Sequence, residues 1–236
     1  MHSLTCLHLD SWQLQPVTIF ASALQPLTQL QHLHVVSSRL EVSALAALVP
    51  AQSGMRGLET VDVCNNLIDV DGPEEVQALC TLLGVVPGLT HLDVSWSCLR
   101  AQGAVLLASV LRDMTHLQTL KMLGCDISAD GMATLAPALA ALPHIHTLDL
   151  RFNALGARAV SALPPVWGRE RSPLRKLRLG ADPLELEGAS AVAAGLSTAT
   201  QLPQLNLFHT NLGKGAGWRH CLRFSASWRH PCDCWS

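Results

Sequence analysis

The side chains of this chain whose types could do chemistry are mainly histidines and cysteines, in two groups. Cys6, His8, His32 and His34 form C-L-H and H-L-H triplets, with residue types that hold a transition metal. If the triplets are neighbouring strands, His8 and His34 stand opposite each other at about 5 Å, within reach of one shared ion. A terminal strand frays, however, and four mixed ligands on a flat face do not make a tetrahedron easily. Exposed, solvated histidines are therefore the favoured reading. The second group is His220, Cys221, His230, Cys232 and Cys234. Its C-x-C spacing differs from the C-x-x-C of zinc sites and no second pair exists, so adventitious thiols are expected there. No G-x-S-x-G, P-loop, H-E-x-x-H or G-x-G-x-x-G occurs. We assign no catalytic residue, no metal and no cofactor, and read the chain as non-enzymatic.

The elements that position these residues are repeated. The pattern L-x-x-L-x-L occurs eight times, starting at Leu4, Leu30, Leu58, Leu89, Leu117, Ile145, Leu174 and Leu202, in steps of 26, 28, 31, 28, 28, 29 and 28 residues. A fixed period of this length means a stack of similar units. Each match has another apolar residue ten places after its start, and two places before that stand Trp12, Ser38, Asn66, Ser97, Cys125, Asn153, Asp182 and Thr210. Short polar side chains there can satisfy backbone groups where the chain leaves a strand and turns. A helical apolar period follows, as in Leu106, Val110 and Leu111 or Leu135, Leu139 and Leu142. Small residues open these helices (Ala44, Gly72, Gly103, Gly131, Ala159 and Gly188) and are expected to let the helix approach the strand layer. In the sixth unit Pro164-Pro165 should end the helix, leaving Trp167 to Pro173 as a loop.

The pattern L-x-x-L-x-L-x-x-(N/C)-x-L resembles the leucine-rich repeat. The 28-residue step, with Asn66, Cys125, Asn153 and the repeated glycines, is similar to the ribonuclease-inhibitor-like subfamily, and to repeats of Ran GTPase-activating proteins and NOD-like receptors. The resemblance implies an α/β solenoid, a horseshoe with parallel strands on the concave face and helices on the convex face. About eight repeats would occupy residues 1–217, with an irregular, disordered tail over 218–236. It also implies a protein-interaction scaffold, with a GTPase-activating scaffold or receptor sensor repeats as alternatives. The ends lack polar capping units, so a longer architecture, a partner or a second copy is expected to cover them.

Binding residues must be sought where the repeat makes no demand. Strand alternation sends the third and fifth residues of each match to the concave face. The third column is Cys6, His32, Thr60, His91, Thr119, Thr147, Lys176 and Gln204; the fifth is His8, His34, Asp62, Asp93, Lys121, Asp149, Arg178 and Asn206. Residues 59–75 hold six acids and no base, and residues 151–180 hold seven bases. A bipolar groove suits a partner of matching charge, through steering and register. Trp96, Phe152 and Phe208 follow the strands directly, and exposed aromatics on a rim are typical anchors. The expected partner-binding set is Asp62, Asp93, Trp96, Lys121, Asp149, Arg151, Phe152, Lys176 and Arg178.

Composition bounds the partner class. Of 236 residues, 43 are leucine, 49% are apolar and 14% charged, which excludes a disordered chain. A formal charge of -2 gives no general attraction to nucleic acid. Apolar stretches fall short of the roughly 20 residues that cross a bilayer. Without a basic, apolar leader, the eight cysteines read as free, buried thiols. The expectation is a cytoplasmic protein that binds another protein, with cytoskeletal or nuclear association left open.

Overall fold

A computed structural model describes residues 3–10, 26–38, 57–66, 73–167, 172–180, 184–197, 199 and 202–210. Eight strands form one sheet in chain order: β1 (Cys6–Asp10), β2 (His32–Val36), β3 (Thr60–Asp62), β4 (His91–Asp93), β5 (Thr119–Lys121), β6 (Thr147–Asp149), β7 (Lys176–Arg178) and β8 (Gln204–Asn206). Every pairing is parallel, and every repeat start is in register with the next. Thus Thr60 stands beside His91, and Asp62 beside Asp93. The two columns read from the sequence are the two outward rows of this sheet.

Parallel strands need a crossover of a dozen or more residues, and helices supply it: α1 (Pro73–Gly84), α2 (Arg100–Leu111), α3 (Ala129–Ala141), α4 (Gly156–Ser161), α5 (Pro164–Trp167) and α6 (Glu185–Leu196). Successive helices pack side by side in a second layer. Helices sit about 8–10 Å apart and strands about 4.8 Å apart, so the sheet lies on the inner side of an open arc. The apolar consensus positions fill the space between the layers. From Leu30 to Leu202 they form one continuous buried core.

The turn after each strand is held from inside. Asn153 accepts through Oδ1 from the backbone N–H groups of Cys125 (3.0 Å) and Ile127 (3.1 Å) in the preceding repeat. Its Nδ2 donates to the carbonyls of Met122 (2.7 Å) and Leu150 (2.8 Å). Asn66 does the same three repeats earlier in the stack, accepting from Ser38 N–H and donating to the Val35 and Val63 carbonyls. Cys125 donates through Sγ to the Val94 carbonyl at 3.2 Å. These side chains join neighbouring repeats, so each turn is satisfied by the next.

Two expectations are corrected. The first helix of the sixth unit ends after about two turns as expected, α4 stopping at Ser161 just ahead of the prolines, but Pro164 and Pro165 then open a second short helix, α5, because proline in a first helical turn gives up an N–H that has no partner there. Trp167 closes that helix and is buried, rather than starting a loop. It abuts Gly195 of α6, where an added Cβ would lie 2.8 Å from Trp167 Cε2. The small residues at helix starts serve a different neighbour from the one expected. A Cβ on Gly131 would meet Ala101 Cα and Ala104 Cβ at 3.1 Å, so this glycine admits the preceding helix, α2, rather than the strand layer. Trp12, Ala44, Gly72, Asp182 and the tail from 218 onward lie outside the described residues.

Candidate functional site

The sheet's outward face is built from a mixed polar third row and a fifth row that is ionisable except at Asn206. Asp62 Oδ1 accepts the N–H of Cys64 at 3.1 Å, Asp93 Oδ1 that of Ser95 at 3.0 Å and Asp149 Oδ1 that of Arg151 at 3.3 Å; Asn206 does likewise for Phe208 at 2.9 Å. Four of the eight fifth-row residues therefore serve the fold. An Asp or Asn there bonds its own backbone two residues on and turns the chain out of the strand. The sequence alone gave no sign of this, since carboxylates in a row read equally well as a binding surface.

The remaining oxygens of the three aspartates face basic side chains. His34 Nδ1 lies 3.5 Å from Asp62 Oδ2, and Lys121 Nζ 3.0 Å from Asp93 Oδ2. Asp149 Oδ2 receives Arg151 Nη2 at 2.8 Å and Arg178 Nη1 at 3.0 Å. Burial raises the Asp149 pKa, and the hydrogen bonds from Arg151 and Arg178 outweigh that, leaving it below the usual carboxylate value. Asp149 is 1% exposed, so its charge is spent within the chain, and the two guanidiniums it holds are what face outward. Burial lowers the Lys121 pKa, but the Asp93 carboxylate overcomes this and raises it above the ordinary lysine value. Asp93 and Asp149 are thus paired with cations of their own or the next repeat. Lys176 is half-buried on β7 and makes no ion pair among the described residues.

Beyond the strands the chain turns through a left-handed residue at one repeating position: Ser37, Asn65, Trp96, Gly124, Phe152 and His209, with φ between 51° and 64°. This region is costly for bulky residues, yet Trp96 and Phe152 occupy it. Each is 49% exposed, and their rings lie 5.8 Å apart in a tilted pair. They are two repeats apart. Gly124 stands between them, and a Cβ on it would lie 2.6 Å from Trp96 Cζ3. Sequence reasoning picked out both aromatics but missed the glycine that lets them meet. Phe208 is also exposed and stacks edge-on against His209 at 3.9 Å.

A Leucine Rich repeat family profile matches residues 89–108, 113–136 and 141–163, the units that carry β4, β5 and β6. This chain is a leucine-rich-repeat protein. Over 138 residues, 58% of its length, the leucine-rich-repeat chain is 32% identical to the NACHT, LRR and PYD domains-containing protein 5 of Homo sapiens. It is 29% identical over 137 residues to the protein of the same name from Mus musculus. The matched segment spans 12% of the length of each relative. Among solved structures, the leucine-rich repeat-containing protein LegL7 from Legionella pneumophila aligns over 95% of this chain and 71% of its own. The TM-score is 0.58 at 18% identity, a likeness of fold alone. No helix among the described residues of this leucine-rich-repeat protein is long and apolar enough to cross a membrane.

Proposed function

We propose that this leucine-rich-repeat chain is a non-enzymatic interaction module, with repeats of the ribonuclease-inhibitor-like kind, that seats a partner protein on its sheet face and the adjoining aromatic rim. The observation that carries the reading is the Trp96–Phe152 pair, held half-exposed and side by side on strained left-handed backbone. A large aromatic is costly to leave in water, and anchors of this kind supply most of the energy of an interface. Lys121, Lys176, Arg151 and Arg178 add positive charge on β5 and β7 and in the turn after β6. Asp62, Asp93 and Asp149 fix the turns and the cations, with Asp62 and Asp93 also reaching the face. The likeness to NACHT, LRR and PYD domains-containing protein 5 supports repeats that work as a recognition unit.

The test is affinity capture with the full chain and with a Trp96→Asn/Phe152→Asn variant, followed by identification of the bound proteins. Asparagine tolerates the left-handed backbone, so the fold stays intact. A partner retained by the wild type and lost by the variant supports the reading. One retained equally by both contradicts it. Stimulated GTP hydrolysis by a small GTPase on adding the chain would favour a GTPase-activating scaffold instead.

A further inference from the structure

At the β1 end of the sheet the structure brings together what the sequence alone left as solvated side chains. The rings of His8 and His34, register partners on β1 and β2, stack 4.0 Å apart at an interplanar angle of 17°. One ligand atom from each, and one from Cys6, all lie within 4.8 Å of one another. Around a tetrahedral zinc ion, with Zn–N of about 2.0–2.1 Å and Zn–S of about 2.3 Å, such atoms would be about 3.3–3.6 Å apart. Binding one ion requires the two stacked rings to turn about their side-chain bonds, so that the in-plane nitrogen lone pairs converge. Beside the two histidines an open depression of about 230 Å³ is lined by His8, His34, Asp10 and Asp62.

We propose that Cys6, His8 and His34 form a zinc site that staples β1 to β2. The three are N/S donors of the type zinc prefers, and they come from two strands, so an ion there cross-links the terminal strand of the described sheet to its neighbour. The Cys6 thiol releases its proton to solvent on coordination, and a water fills the fourth position. Asp62 lies 3.5 Å from His34 Nδ1, where a carboxylate orients a ligating imidazole; Nε2 is then the ligating nitrogen. Of the described clusters, Asp62, Cys64 and Asp93 is the other with ligand spacing, and it already holds the Lys121 ammonium 3.0 Å from Asp93. His32, set aside by the site, pairs instead with Thr60 Oγ1 at 3.0 Å.

The test uses the full chain in a phosphine-reduced, chelator-free buffer, with iodoacetamide labelling read peptide by peptide. Cys6 and Cys98 are both exposed, so Cys98 is the internal control. Stoichiometric Zn²⁺ should slow labelling of Cys6 at least 10-fold and leave Cys98 unchanged. Equal labelling of Cys6 with and without Zn²⁺ would overturn the site. Co²⁺ titration should give one thiolate charge-transfer band per chain that survives Cys221→Ser/Cys232→Ser/Cys234→Ser. His34→Gln should weaken binding at least about 100-fold and Asp62→Asn about 10-fold, with buried Cys80 and Cys125 still unlabelled as proof of fold. A band that vanishes with the tail cysteines and ignores His34→Gln would place the metal elsewhere and refute the proposal.

Discussion

Trp96 reaches over an intervening repeat to lie 5.8 Å from Phe152, and the residue it crosses is Gly124. The three share one position of the repeat and one left-handed backbone conformation, with φ of 58°, 64° and 58°. A side chain on the middle one would occupy the space of the indole.

Gly124→Ala therefore strains the backbone and displaces the ring together. We expect a loss of about 1–2 kcal/mol for the left-handed alanine, measured by urea unfolding. Partner binding should weaken as well, although Gly124 offers no side chain to contact.

Asp149→Asn tests the buried triad with Arg151 and Arg178. The folded-state pKa of Asp149 lies below its ordinary value, burial being outweighed by the two arginine hydrogen bonds. Its stabilisation is thus complete above the unfolded-state pKa of about 3.9 and fades as pH falls through the folded value. The variant should be less stable by about 2 kcal/mol at pH 7, and the gap should narrow below pH of about 4. A gap that is constant with pH would separate the arginines from the effect.

Asn153→Ala removes the side chain that satisfies Cys125 and Ile127 N–H groups and the Met122 and Leu150 carbonyls. Buried backbone groups left without partners cost about 1–3 kcal/mol each, less where water enters. A loss of about 3 kcal/mol by urea unfolding is expected, against near zero for exposed Ser109→Ala.

Cysteine reactivity divides by burial. Burial pushes the thiols of Cys64 and Cys125 up to about 12 and that of Cys80 up to about 11; the carboxylate of Asp62 adds to this at Cys64. At pH 8 in the absence of added metal, iodoacetamide should label Cys6 and Cys98 and spare these three until the chain unfolds, since the thiolate is the nucleophile.

The repeat was legible because packing dictates it. Leucines at L-x-x-L-x-L must all face the core, so one period yields the strands, their register and both outward rows. Asn66 and Asn153 were legible for the same reason, as a buried turn needs a polar side chain that can donate and accept. What escaped depends on neighbours that the period does not encode. Trp167 reads as the start of a loop unless the short helix opened by Pro164 is known. Gly131 faces a preceding helix whose Ala101 and Ala104 lie about one repeat back. The Asp row looked like free charge because an Oδ1 bond to the N–H two residues on leaves no signature in spacing. The His8–His34 stack needed the actual ring orientation, and so did the approach of Cys6.

The most direct test of the interaction reading is the dissociation constant of a captured partner, measured by calorimetry for three forms of the full chain. The forms are the wild type, Trp96→Asn/Phe152→Asn, and Val105→Glu/Leu186→Glu on the helical side, where both apolar residues are exposed. Loss of an aromatic anchor is often worth 2 kcal/mol or more, about 30-fold in affinity. The account predicts at least that weakening for the aromatic variant and less than about 3-fold for the helical one, with unfolding midpoints unchanged for both. Wild-type affinity in the aromatic variant, with binding lost in the helical one, would contradict the account and assign recognition to the convex surface.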